Sequence, residues 1–398
     1  MTRAPLRIGA AGLGRAFLFM LPTFLREPRL RLVAASAPLP GPRARFVSDF
    51  GGTAHDTFEA LCADPNVDVV YIATPHAMHA AQACMALAHG KHVLVEKPMA
   101  VDLAGCTAMI DAAQRAGRQL IVGHRHSFSG PIVRTRELIA SGDFGAVRMI
   151  HALYATDYMY RARRPEELRT ADGGGVLFSQ AAHQIDVVRL LGGGGVRSVR
   201  AMTGAWDAAR PTEGAYSALL AFAGGTFAIA AYSGYAHYDG DELMDNVGEM
   251  GQRNRADDYG ATRGRLRDVA AGAAEAAFEA SRNYGGAAYS PPPAAASDAH
   301  QHFGFMLACC ERGDLRATPT GVAIYDDGER RFEPVPAPAV PRTEVVDELW
   351  RAVVDGITPV HSGEWARATL EVCRAMLDSA HAGRDVELRW QVPPAPGA

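Results

Sequence analysis

Along the first third of the chain, short apolar runs rich in β-branched residues alternate with stretches whose apolar positions recur every three or four residues. The runs are LRIGAAG, LRLVAAS, VDVVYIATP, KHVLVE and RQLIVGH. Between them lie a helical stretch through Phe24, then AMHAAQACMALAHG and LAGCTAMIDAAQRAG. Strands that are apolar on both sides belong in a parallel sheet covered by helices, and the intervening helices supply its crossovers. The pattern predicts an α/β domain over residues 1–124, ending near His124.

The texture then changes. VRMIHALYATDY reads as a strand, GGGVLFSQAAHQIDVVRLLGG as a glycine-flanked amphipathic helix, and VRSVRAMTG, YSALLAFAGG and TFAIAAYSGY as a meander. Residues 125–398 are therefore expected to form an α+β domain with a large open, mostly antiparallel sheet and helices on one face. Residues 238–300 fit neither pattern: they hold GRLRDVAAGAAEAAFEASRN and the triple proline SPPPAAA, and read as a lid-like insertion or a loosely ordered surface loop. The tail VPPAPGA is expected to fray.

Composition removes several classes. In 398 residues, 48% are apolar and the net charge is −4, so nothing argues for nucleic acid or a membrane surface. No apolar stretch is long enough to span a bilayer, and MTRAPLRIGAAGLG does not read as a signal peptide. Cys62, Cys84, Cys106, Cys309, Cys310 and Cys373 lack CxxC spacing and are expected as buried thiols in a cytoplasmic protein, without disulfide or zinc.

IGAAGLGRAF follows the first strand and opens a helix. Gly9, Gly12, Leu13 and Gly14 make a tight turn that lets a pyrophosphate approach the backbone, and Arg15, Ala16 and Phe17 open the helix whose free N–H groups face it. This is a Rossmann dinucleotide site in its expected context. Phe17 stands where the fingerprint has a third glycine, which alters packing more than phosphate contact. The second strand ends at Ser36 and Ala37, without the acid that grips the ribose of NAD. Arg43 and Arg45 are near enough for a 2′-phosphate or are plain helix charges, so NAD and NADP both stay open.

The fifth strand ends Glu96-Lys97-Pro98. A lysine at the carboxyl end of a buried strand stands where open α/β sheets place their chemistry. The order IGAAGLG, ATPHAMH, GKHVLVEKP, GGGVLFSQAAHQID resembles the glucose–fructose oxidoreductase/inositol dehydrogenase (Gfo/Idh/MocA) family. The resemblance implies that Lys97 reaches the reacting hydroxyl beside the nicotinamide, with Pro98 fixing the turn, often as a cis peptide. It implies that His183 is the second catalytic residue, and that Thr74, Pro75, His76 and His79 border the cofactor. His76 and His79 have a spacing a metal could use, but no third ligand is evident and no metal is expected. The family's acid four residues before the histidine is Ser179 here, and spacing puts Ser179, His183 and Asp186 on one helical face. The bland alternative is a core histidine paired with Asp186.

TDYMYRARRPEELRTADGGG gathers Arg161, Arg163, Arg164 and Arg169 beside Tyr158 and Tyr160. Guanidiniums bind carboxylates bidentately, which suits an aromatic or alicyclic dicarboxylate better than a neutral polyol; the alternative is a solvated loop paired with Glu166 and Glu167. With HQHFG, this stretch resembles the family branch that oxidises phthalate 4,5-cis-dihydrodiols with NAD(P). That implies a substrate site of Lys97, His183, Ser179, Tyr158, Arg161, Arg163 and Arg164, joined by His124, Arg125 and His126. Sugar or inositol oxidation, the family's NAD-dependent glycosidases and a non-catalytic dinucleotide sensor are the alternatives. A homodimer or homotetramer is expected, because an open sheet face needs covering.

Overall fold

The computed structural model describes residues 3–269, 273–291 and 297–395. Strands β1 (Leu6–Ala11), β2 (Leu30–Ser36), β3 (Thr53–His55), β4 (Val69–Ile72), β5 (His92–Glu96) and β6 (Leu120–Gly123) form one sheet, ordered β3-β2-β1-β4-β5-β6. Every pairing in it is parallel. Helices α1 (Arg15–Arg26), α2 (Pro40–Phe50), α3 (Phe58–Ala63), α4 (His79–Ala88) and α5 (Leu103–Ala116) make the crossovers. β1 pairs with β2 on one side and β4 on the other, so the connections run in opposite directions and leave a crevice at the carboxyl ends of β1 and β4. The glycine turn sits in that crevice. Lys97 follows β5, the next strand along.

The chain continues through α6 (Gly130–Ala140), β7 (Val147–Ala155), α7 (Gly175–Ser179), α8 (Ala181–Leu191), β8 (Val196–Gly204), β9 (Ala215–Phe222) and β10 (Phe227–Ser233). Helices α9 (Ala261–Asp268) and α10 (Ala273–Arg282) follow, then β11 (Phe305–Cys310), β12 (Gly313–Thr318), β13 (Gly321–Tyr325), β14 (Arg330–Pro334), α11 (Thr343–Val354), α12 (Gly363–Ala382) and β15 (Val386–Glu387). The second sheet has nine strands, ordered β14-β13-β12-β11-β7-β10-β9-β8-β15. β7 and β10 pair in parallel; the other pairings are antiparallel, as the meander predicts. β11 to β14 escaped the periodicity reading, because β11 and β12 mix small, charged and half-buried residues. One face buries Ile150, Ala218, Leu220 and Ala228 against Ile185, Val188 and Met376 of the helices. The opposite face exposes Leu153, Met202, Leu219, Phe227 and Ile229.

Two long-range features tie the halves together. Val345, Val346 and Leu349 of α11 share a core with Ile8 and Leu32 of the first sheet. The described residues of 238–300 reach both halves, through Glu275 with Arg210 and Tyr284 with Asp49, and the described parts of the Ala-rich stretch lie in α9 and α10; residues 270–272 and 292–296 lie outside the described residues. The tail is anchored at its start, where Arg189 donates to the Val392 carbonyl at 3.3 Å; residues 396–398 lie outside the described residues. All six cysteines are free, but Cys84, Cys309 and Cys310 are only partly buried, against expectation, because they sit on outward-facing helix or strand positions.

Candidate active site

The cofactor crevice is built from the glycine turn upward. Gly12 has φ 83°, and a Cβ there would meet the Ala73 carbonyl oxygen at 2.7 Å, so β1 and the β4 loop approach closely only because the residue is glycine. A Cβ on Gly14 would meet only the Asn283 side-chain nitrogen, at 4.0 Å. Gly14 caps α1 without a side-chain hydrogen bond, so the first-turn N–H groups stay available to an anion. An open cradle at an uncapped helix N-terminus fits a dinucleotide pyrophosphate. Gly9 is different: a Cβ there would press on Leu61 and Val67, so its role is packing. Leu13 is buried, and Phe17 is fully buried.

At the ribose end, Ser36 and Ala37 close β2 and are both buried. Arg43 donates to the Ala37 and Pro38 carbonyls at 2.6 and 2.8 Å, and Arg45 pairs with Asp49 at 2.7 Å. Both arginines are engaged with the protein, which departs from their reading as 2′-phosphate ligands. Thr74 donates to Gln82 at 2.6 Å. Pro75 leads into a short turn in which His76 Nδ1 lies 3.2 Å from the Gly173 carbonyl. His79 opens α4, but both its ring nitrogens are taken, by the Pro98 and Thr74 carbonyls at 2.9 Å each. It clamps the turn bearing Lys97 to the β4 loop and has no nitrogen left for a ligand.

The Lys97–Pro98 peptide is cis. Glu96 accepts from the Tyr71 hydroxyl at 2.8 Å, and Lys97 Nζ donates to the Ser179 carbonyl at 2.7 Å. That contact shows what Ser179 does: its main chain holds the lysine, while its hydroxyl donates to the Gly175 carbonyl at 2.5 Å. The single helical face expected for Ser179, His183 and Asp186 is broken, because α7 ends at Ser179 and α8 starts at Ala181. Burial and the neighbouring Arg125 lower Lys97 from the usual lysine value to about 8, against the opposing pull of Glu96 and Glu249.

His183 is 3% exposed and its Nδ1 has no hydrogen-bond partner among the described residues. Its ring stands edge-on to His126, centroids 4.6 Å apart, and borders Phe303 at 5.3 Å. Burial, then the charge of Lys97, hold it well below the ordinary histidine value, so it is neutral across physiological pH. The pairing with Asp186 does not form. Asp186 accepts instead from Trp365 at 2.6 Å, Thr369 at 3.3 Å and Ser127, and lies 3.6 Å from His361 Nε2. It belongs to the buried framework. His124 Nδ1 lies 3.8 Å from Asp186, and neither ring nitrogen makes a hydrogen bond among the described residues.

The acid near His183 comes from an unexpected place. Glu249, in the segment read as an insertion, ion-pairs with Arg125 and lies 3.3 Å from His126 Nε2. His126, His183 and Glu249 bring donor atoms within 4.8 Å of one another. That spacing could hold a metal, but Arg125 already pairs with Glu249, and Lys97 and Arg125 impose positive fields on His183. The anionic partner suits an enclosure of imidazoles and cations better than it suits a dication. Nothing in GEMG marks Glu249 from sequence; only the fold delivers it.

The arginine loop divides. Arg164 turns to Glu166 and Glu167 at 3.4 and 3.3 Å, and Arg169 to Asp172 at 2.5 Å, as the surface alternative has it. Arg163 lies over the Tyr158 ring at 3.8 Å and donates to the Tyr158 carbonyl at 3.2 Å. The Arg161 backbone N–H donates to the Tyr158 carbonyl at 3.2 Å, but its guanidinium makes no hydrogen bond or ion pair among the described residues and rests 5.4 Å from the Tyr158 ring centroid. Burial opposes its charge, but the Glu249 carboxylate and Tyr232 outweigh that and raise its pKa. Arg15, at the mouth, is close enough to feel Arg161 and Arg163. A cavity of about 400 Å³ opens beside Ser127 and His361, and neither Lys97 nor His183 lines it.

A doubly wound sheet with an open glycine cradle, followed by a buried lysine and neutral histidines, defines a dinucleotide-dependent oxidoreductase. Comparison with known proteins agrees. Residues 6–124 match the oxidoreductase family with an NAD-binding Rossmann fold, GFO/IDH/MocA, and residues 132–253 match the GFO/IDH/MocA C-terminal domain. The chain belongs to this family and is an NAD(P)-dependent oxidoreductase. It is 50% identical, over 94% of both chains, to 1-carboxy-3-chloro-3,4-dihydroxycyclohexa-1,5-diene dehydrogenase of Comamonas testosteroni. A stretch covering 35% of this chain and 41% of its relative is 31% identical to trans-1,2-dihydrobenzene-1,2-diol dehydrogenase of Sus scrofa. A solved protein of Bordetella bronchiseptica RB50, provisionally named a dehydrogenase, is 37% identical with TM-score 0.89, covering 96% of this chain and 100% of that one. No described helix is long and apolar enough to cross a membrane.

Proposed function

We propose that this enzyme oxidises a cis-dihydrodiol of a carboxylated cyclohexadiene to the corresponding catechol, with Lys97 and His183 at the reacting carbinol and Arg161 at the carboxylate. The observation that carries the reading is the unpaired guanidinium of Arg161, held charged within electrostatic reach of Glu249 in the His183 cluster. A neutral polyol offers such a group hydroxyl acceptors but no opposite charge. The relative from Comamonas testosteroni acts, by its name, on a ring of this class.

Held at the turn of Gly12 and Gly14, a nicotinamide dinucleotide would supply the hydride acceptor for the carbinol carbon. Lys97, with a pKa of about 8, has a useful neutral fraction near neutrality and takes the hydroxyl proton as the C=O bond forms. Neutral His183 orients the hydroxyl. The neighbouring carbinol carbon then loses its proton, the new carbonyl oxygen gains one, and this enolisation of the hydroxy-dienone gives the catechol. A singly carboxylated ring needs only Arg161. The 4,5-dihydro-4,5-dihydroxyphthalate type is the doubly carboxylated member of the class, and Arg163, over the same Tyr158 ring, and Arg15, within electrostatic reach, are the further guanidiniums beside Arg161. With Arg43 and Arg45 engaged, NAD is the better fit at the ribose. The exposed Leu153, Met202, Leu219 and Ile229 suit a self-associating face, supporting a homodimer or homotetramer.

The test compares kcat/KM for a carboxylated cis-diene-diol with that for its decarboxylated analogue. A charge-assisted contact of about 2 kcal/mol corresponds to ~30-fold, so Arg161→Gln is expected to raise the KM of the carboxylated diol ~30-fold and spare the analogue. Equal loss on both substrates, or turnover of inositol in their place, would contradict the assignment.

A further inference from the structure

The family models end at residue 253, yet residues 283–289 pack against the glycine turn, α1 and α2. One anchor lies in the second half of the molecule. Glu275 of α10, 5% exposed, accepts from both terminal nitrogens of Arg210, at 2.8 and 3.1 Å, and from the Arg163 backbone N–H at 3.0 Å. The other anchor lies in the first half. Tyr284, 1% exposed, stands edge-on to Phe17 with centroids 5.4 Å apart, and its hydroxyl donates to Asp49 at 2.7 Å. Tyr289 packs on Tyr284 at 5.3 Å and under Arg45 at 5.5 Å. Gly285, at φ 74°, fits only because it has no Cβ, which would come within 2.9 Å of Pro42.

This arrangement explains Phe17. Where the usual fingerprint has a small residue, this chain has an aromatic ring that receives Tyr284. Between the two anchors, Asn283 places its carboxamide over the glycine turn, 4.0 Å from the point a Gly14 Cβ would occupy. That is the open side of the cradle, facing the uncapped start of α1.

We propose that residues 273–289 form an intrachain strap over the pyrophosphate of the bound dinucleotide, that the Asn283 carboxamide donates to it, and that cofactor exchange requires the Tyr284 anchor to release. The inference rests on dinucleotide binding alone and is independent of the substrate reading. The strap encloses the dinucleotide from the side that the sheet leaves open, so the consequence is slow release of the reduced cofactor.

The test is NADH fluorescence with purified protein and no substrate, giving Kd at equilibrium and the release rate by stopped-flow displacement. Asn283→Ala is expected to raise Kd about tenfold. Tyr284→Phe, which keeps the ring and loses the Asp49 bond, is expected to speed release severalfold, and Tyr284→Ala more. Circular dichroism and thermal melts confirm that each variant is folded, and Tyr284→Phe serves if the alanine variant is not. Kd for Asn283→Ala and release for Tyr284→Phe both within twofold of the unaltered protein would overturn the proposal. Faster release with an unchanged Asn283→Ala would overturn the Asn283 contact.

Discussion

Lys97→Met lowers kcat for diol oxidation by about 10³-fold, within the range that loss of a positioned proton acceptor produces, while NADH binding stays close to that of the unaltered protein. Methionine fills much the same volume and cannot take a proton. The pH profile supplies the sign. Burial penalises the ammonium, so Lys97 titrates at about 8 instead of its usual 10.5. Below that value the side chain is protonated and cannot act as base; kcat/KM therefore rises with pH and levels off above about 8. His183, held well below its ordinary value, is neutral throughout and adds no limb in this range. Lys97→Arg keeps a cation but not a titrating base, and loses the rise. A flat profile, or a methionine variant within tenfold of the parent, would remove Lys97 from the base role.

Asp186→Ala destabilises the fold by about 3–5 kcal/mol, as expected when one member of a buried ionic network is deleted. Its carboxylate serves Trp365, Thr369 and Ser127 and faces His361, which is held on its other side by Glu348 at 2.8 Å. Removal leaves those donors without an acceptor. The network also sets a pH window. Burial opposes the Asp186 charge, but His124, His361 and Ser127 outweigh it and hold its pKa below the usual carboxylate value. Its contribution is present above pH ~4 and is lost as pH falls below that. Burial likewise opposes the charge on His361, but Glu348 and Asp186 raise it to about 9. That contribution is full below the unfolded value of ~6.5 and is lost as pH rises through about 9. The pair thus stabilises most between pH ~4 and ~6.5. Thermal melts of the parent and of Asp186→Ala across pH measure it; curves that stay parallel from pH 5 to 10 would contradict the account.

These two residues also show how far the sequence could be read. Lys97 was legible because its surroundings are local: a buried strand, a glutamate, a proline and a known position at a strand's carboxyl end. The alternating elements of the first half were legible for the same reason, since each is set by a run of neighbouring residues. Asp186 was not. Spacing brings it to the face of His183, but its partners are Ser127, His361, Trp365 and Thr369, supplied by distant segments. The break between α7 and α8, which turns Ser179 from a side-chain candidate into a carbonyl contact for Lys97, carries no strong local signal. Glu249 lies in a stretch with neither helix nor strand period and reaches the site only through tertiary packing. In the arginine loop, four equal-looking residues separate only when their partners are in place: Arg164 and Arg169 find nearby acids, Arg163 finds the Tyr158 carbonyl, and the Arg161 guanidinium, beside the same ring, has no hydrogen bond or ion pair among the described residues. Charge count could suggest the loop; it could not choose the residue.

The most direct measurement is product stoichiometry with a carboxylated cyclohexadiene cis-diol: nicotinamide reduction followed by absorbance, with the ring product identified by chromatography and mass. One reduced nicotinamide is expected per molecule of carboxylated catechol formed, at a rate well above that for the decarboxylated diol. Reduced nicotinamide without a catechol, or no reduction with the carboxylated diol while inositol is turned over, would contradict it.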